Sequence, residues 1–108
     1  MNDETPDDAG GTPTESAWID APASSHLQAF RFVDNSRPGS GAPSELYVTF
    51  RPGQPRKDGY VRPAATYRYV SHDHAALRQT YENMRTNASP GTVLHEELIA
   101  RGNKGSPV

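Results

Sequence analysis

The sequence predicts an α+β domain: a three-stranded antiparallel meander covered on one face by two short C-terminal helices, in the order β-β-β-α-α. Three observations carry this. Segments rich in aromatic and β-branched residues alternate with Gly/Pro loops over the middle of the chain. The apolar spacing then changes from strand-like to helix-like after Ser71. Finally, 108 residues with 33% hydrophobic content, 10 Pro and 9 Gly can build only one small core.

The first strand is expected over residues 27–34, Leu27-Gln28-Ala29-Phe30-Arg31-Phe32-Val33-Asp34, where the alternation is partial. A Gly/Pro/Ser loop follows over residues 35–44. The second strand, 45–51, has the cleanest pattern: Leu46, Val48 and Phe50 face one way, and Glu45, Tyr47, Thr49 and Arg51 the other. A second long loop spans 52–65, punctuated by Arg51-Pro52-Gly53 and Lys57-Asp58-Gly59. The third strand is Thr66-Tyr67-Arg68-Tyr69-Val70.

Leu77, Tyr81 and Met84, at i, i+4 and i+7, then mark the inner stripe of a helix. Ser71 or Asp73 is its N-cap, and Glu82 can pair with Arg85 on its flank. Ser89 followed by Pro90 opens a second helix, capped by the serine and started by the proline. Val93, Leu94 and Leu98 face inward, Ile99 borders them, and Gly102 ends the helix. Three strands with an apolar face need a cover, and these two helices supply it.

The ends differ in character. Residues 1–22 read as a disordered acidic arm, and 103–108 as a flexible tail. Six of the 13 acids fall within residues 1–20, where there is no Lys or Arg. The remainder, holding seven acids and all 11 Lys and Arg, is basic. Such an arm solubilises the chain or covers the basic face against an anionic ligand. Within it stand Trp18, the only tryptophan, and Ile19. An apolar pair so placed either clasps the domain's own core or anchors a protein partner.

The ordered set Ser24-Ser25-x-Leu27, Leu46-x-Val48-x-Phe50 with Gly53, Tyr67-Arg68-Tyr69, and Ser89-x-Gly91-x-Val93-Leu94-x-x-x-Leu98 resembles the KTSC domain, over about residues 23–102. That family is named from a C-terminal extension of some lysyl-tRNA synthetases and also occurs as a stand-alone module. The resemblance implies a small non-catalytic domain centred on the Tyr67-x-Tyr69 strand, for which nucleic-acid binding has been proposed. Two departures are visible: both hairpin connections are longer than the family's tight turns, and Val93-Leu94 stands where aromatic residues are common.

Tyr67 and Tyr69 share one strand face and Arg68 takes the other. The tyrosines are core aromatics with hydroxyls at the rim, or a platform on which bases stack. If the helices cover them, Tyr47, Arg51 and Arg68 lie together on the open face. Arg51, Arg56, Lys57, Arg62 and Arg68 meet only Asp58 in their stretch, and Tyr60 sits among them. The candidate nucleic-acid-binding set is therefore Tyr47, Arg51, Arg56, Lys57, Tyr60, Arg62 and Arg68.

Several chemistries are excluded or unsupported. Without cysteine there is no disulfide, thiol nucleophile or cysteine metal cage, which fits a cytoplasmic setting. No apolar run approaches the roughly 18–20 residues of a membrane span, and the acidic N-terminus is the reverse of a signal peptide's basic start. His72-Asp73-His74 has no third ligand placed by spacing, and its histidines do not share a helix face. His95-Glu96-Glu97 lacks the second histidine of a zinc-protease helix, and the two glutamates read as a solvated face. No enzyme activity, metal or cofactor is expected. The expected partner is RNA or other single-stranded nucleic acid. The alternative is a protein partner, with the chain serving as an interaction or assembly module of a bacterium or phage through its arm and loops. The sequence leaves the oligomeric state open.

Overall fold

A computed structural model describes residues 14–22, 24, 26–87 and 89–108. Its elements are β1 (Thr14–Glu15), β2 (Ile19–Asp20), β3 (Leu27–Asp34), β4 (Ser44–Phe50), β5 (Ala65–Ser71), α1 (His74–Thr86), α2 (Pro90–Glu97), a 3-10 turn (Ile99–Arg101) and β6 (Ser106–Pro107). The chain is α+β with an antiparallel sheet and two helices after the long strands. The sheet is larger than the three strands expected. Around the β3-β4-β5 meander, β1 and β2 pair with the outer edge of β3, and β6 pairs with the outer edge of β5. Segments of two residues carry no readable alternation; they pair because the meander leaves unsatisfied N–H and C=O groups along both edges.

Both ends thus differ from expectation. Within the segment assigned from sequence to the arm, Thr14–Glu15 and Ile19–Asp20 pair with β3, and within 103–108, expected to be loose, Ser106–Pro107 pairs with β5 and Val108 N–H bonds the Thr66 carbonyl. Residues 1–13 of the arm, and Ser25 of the family motif, lie outside the described residues.

The long strands follow their sequence pattern. Leu46 and Val48 of β4 are fully buried under the helices, while Glu45, Tyr47 and Thr49 face away. In β3 the register slips between Leu27 and Ala29. This bulge lets Leu27 and Phe30 both turn inward although three apart, which explains the imperfect alternation there. Leu77, Tyr81 and Met84 of α1 meet Val93, Leu94 and Leu98 over this face. The Tyr81 ring stacks on Phe32 at 5.3 Å and stands edge-on to Phe30 at 6.0 Å.

Local chemistry sets the helix ends. Of the two candidate caps for α1, Asp73 is the one used, accepting from Ala76 N–H at 3.1 Å. Ser89 makes no side-chain cap; its carbonyl accepts from Thr92 and Val93, and Pro90 starts α2. The α-helix stops at Glu97, one turn before Gly102, and the remainder tightens into the 3-10 turn. Gly102, at φ 89°, supplies the left-handed stop. Glu97, expected in solvent, accepts from Thr80 Oγ1 and Asn83 Nδ2, both at 2.9 Å, and ties α2 to α1, whereas Glu96 is exposed.

Candidate nucleic-acid interface

The register of the meander decides which side chains share the face away from the helices. Arg31, Tyr47 and Arg68 form one row across it, and Val33, Glu45 and Val70 the next. The Arg31 guanidinium lies over the Tyr47 ring at 4.8 Å and over the Trp18 ring at 5.5 Å, and pairs with Glu15 at 2.8 Å. The Tyr47 hydroxyl donates to Glu45 at 2.6 Å, and Arg68 stands 3.8 Å from the same carboxylate. That hydrogen bond to Glu45 is the main reason the Tyr47 phenol is held above its usual range; burial and the Glu45 charge add to it and Arg68 opposes it. The expected basic sheet face is therefore largely neutralised by its own acids, and the Tyr47 ring is covered on one side.

Arg51 leaves the face altogether. Its Nε donates to the Ser24 carbonyl and its Nη2 to the Ala21 carbonyl, both at 2.9 Å. These bonds bind the turn before β3 to the end of β4. Ser24 reinforces that turn, its Oγ accepting from the N–H groups of His26 and Leu27. Trp18 and Ile19 part company: Ile19 packs on the core, while Trp18, on Arg31, remains 47% exposed.

The loop between β4 and β5 is an extension of their hairpin. Gly53 N–H bonds the Arg62 carbonyl at 2.8 Å, Arg56 N–H bonds that of Tyr60 at 2.9 Å, and Gly59, at φ 86°, closes the turn. Asp58 stabilises the turn by accepting from Tyr60 N–H. Arg56, Lys57, Tyr60 and Arg62 are all exposed on this projection, and Arg56 stacks on the Tyr60 ring at 5.3 Å. None of the three cations makes an ion pair among the described residues.

The Tyr67-x-Tyr69 pair is also divided. Tyr69 is 5% exposed within the core, and burial, with Tyr67 beside it, pushes its phenol upward in pKa. Tyr67 is half-buried, its ring edge-on to Phe50 at 5.7 Å. Beside the Tyr67 ring the lining comes from Ile99 of the 3-10 turn rather than from α1 or α2. A cleft of about 500 Å³ opens there, floored by Phe50, Tyr67 and Tyr69 and walled by Arg62, Ile99 and the strand leading to β6. The sequence-based reading missed this cleft, because its far wall comes from residues 103–105, which carry no regular pattern.

His72, Asp73 and His74 do not converge. Asp73 caps α1, His74 Nδ1 lies 2.6 Å from the buried Ser44 hydroxyl, and His72 is exposed. Among the described residues no group of three or more His, Asp or Glu is placed to hold a metal, and no helix is long and apolar enough to cross a membrane.

The fold and surface define a small α+β domain with a basic hairpin beside an aromatic cleft. Comparison of the chain with protein-family models, curated proteins and solved structures gives no match.

Proposed function

We propose that the chain is a non-catalytic binding module for single-stranded nucleic acid, with RNA as the favoured partner, gripping phosphates with the β4–β5 hairpin. The observation that carries this is the projection of Arg56, Lys57 and Arg62, without ion-pair partners among the described residues, around an exposed tyrosine ring. Cations of this kind contact phosphates irrespective of sequence, and Tyr60 offers a face for stacking. The resemblance to KTSC domains points the same way. Arg68 is a secondary contact, and Arg51 and Tyr47 act through the fold.

The test is a titration with a fluorescent oligonucleotide at about 50 mM salt. Micromolar binding is expected, with a log–log salt slope of about −2 for three phosphate contacts to a single strand. Arg56→Gln with Lys57→Gln should remove about two-thirds of that slope. A flat titration refutes the proposal.

The second reading, a protein-interaction module, is favoured by one observation: Trp18 stands 47% exposed on the neutral sheet face. Solvent-facing tryptophan stacked on arginine is a common interface anchor. In that case Trp18→Ala removes partner association while oligonucleotide titrations stay flat.

A further inference from the structure

The cleft beside Tyr67 has a composition that selects its occupant. Its floor is aromatic, with Phe50 and Tyr67 meeting edge to face, and its volume of about 500 Å³ falls in the range of small-ligand sites. Two of its walls carry cations, Arg62 and Lys104, and among the described residues no carboxylate lines it. Neither cation forms an ion pair among the described residues. Asn103 adds an amide that both donates and accepts. A purely apolar guest would leave two charges beside it without a partner. A small inorganic anion would leave the aromatic floor unused.

The wall is fixed rather than adaptable. A Cβ on Gly105 would come within 2.8 Å of Tyr69 Cζ and 3.0 Å of Tyr67 Cβ, so the strand leading to β6 sits against the tyrosines only because residue 105 lacks a side chain. Lys104 is thereby held next to the floor by its neighbour's close approach.

We infer that this cleft receives one nucleotide, its base against the Tyr67 and Phe50 rings and its phosphate between Arg62 and Lys104. The inference rests on the nucleic-acid reading for the strand that would deliver such a nucleotide, and adds to it a site for a single base. A free nucleotide and the terminal nucleotide of a strand offer the same chemistry.

The test uses the full chain and follows backbone and aromatic resonances during titration with a 5′-mononucleotide, the matching nucleoside and inorganic phosphate. The mononucleotide should shift Phe50, Tyr67 and Gly105 and bind at least tenfold more tightly than the nucleoside or phosphate alone. Lys104→Gln, at an exposed position that leaves the core intact, should remove most of the advantage over the nucleoside. Tyr67→Leu should weaken binding by about fivefold or more, the effect of losing one base stack. Arg56→Gln with Lys57→Gln should leave the mononucleotide unaffected while weakening an oligonucleotide. Competition by a 5′-phosphorylated oligonucleotide marks the strand terminus as the occupant; absence of competition marks the free nucleotide. Shifts elsewhere, or equal affinity in the Lys104→Gln chain, overturn the inference. Oligonucleotide binding without mononucleotide binding overturns the cleft and keeps the hairpin, and the reverse result does the opposite.

Discussion

Arg51 provides the sharpest separation between a residue that holds the fold and one that holds a ligand. In sequence it belongs with the basic stretch; in the structure its guanidinium forks onto the carbonyls of Ala21 and Ser24. Hydrogen bonds from a charged donor contribute about 1.5–3 kcal/mol each, and partial exposure puts these two at the lower end. The Ala21 carbonyl has a second donor in Ser24 N–H, so truncation strands mainly the Ser24 carbonyl. Arg51→Ala should therefore cost about 2–4 kcal/mol, a fall in Tm of roughly 10–20 °C for a domain of this size. Arg51→Lys keeps the charge but loses the planar fork, and should recover no more than about half of the loss. Thermal unfolding followed by far-ultraviolet circular dichroism measures both. Oligonucleotide titration at a temperature where the variants are folded should show little change. A Tm within about 2 °C of the parent for Arg51→Ala would sink this reasoning. So would an Arg51→Lys chain of parental stability and weakened binding, which would return Arg51 to the ligand surface.

Tyr69, through burial, and Tyr47, through its bond to Glu45, both have raised phenol pKa values in the folded chain. Their stabilising contribution is complete below the unfolded value of about 10 and is lost as pH rises through the folded values. Tyrosinate absorbance should show late-ionising phenols above the usual value of about 10, and Tyr47→Phe and Tyr69→Phe should each remove one late step; a titration left unchanged by both substitutions would contradict this. Glu97→Ala should lower the urea midpoint by the equivalent of about 1–3 kcal/mol, because it leaves Asn83 Nδ2 without its acceptor and Thr80 Oγ1 with only the Ala76 carbonyl, while Glu96→Ala stays within about 0.5 kcal/mol.

What the residues disclosed in advance was whatever had a period. The alternation in β4 and the i, i+4, i+7 stripe of α1 are repeated statements of one burial direction, so the α+β class, the order of the long elements and most of the core could be read directly. Glu96 and Glu97 are chemically alike neighbours, and only the packing of α2 on α1 separates an exposed carboxylate from an interhelical one. The basic hairpin was legible as composition and its turn as Lys57-Asp58-Gly59, but the desertion of Arg51 depends on partners 27 and 30 positions away. The neutral sheet face depends on register, which alone sets Arg31, Tyr47 and Arg68 in one row beside Glu45. The cleft depends on a two-residue strand whose sequence, Ser106-Pro107, announces nothing.

That small strand also guards the molecule against its own kind. An unoccupied strand margin is a template on which other chains polymerise. Here each flank of the meander carries a short strip of native backbone, and the one beside β5 ends in Pro107, whose ring nitrogen has no hydrogen to offer an incoming chain. Self-propagating sheet growth from that flank must begin by evicting Ser106 and Pro107, which gives a two-residue stitch of chain a role in keeping this proline-rich protein dispersed at high concentration.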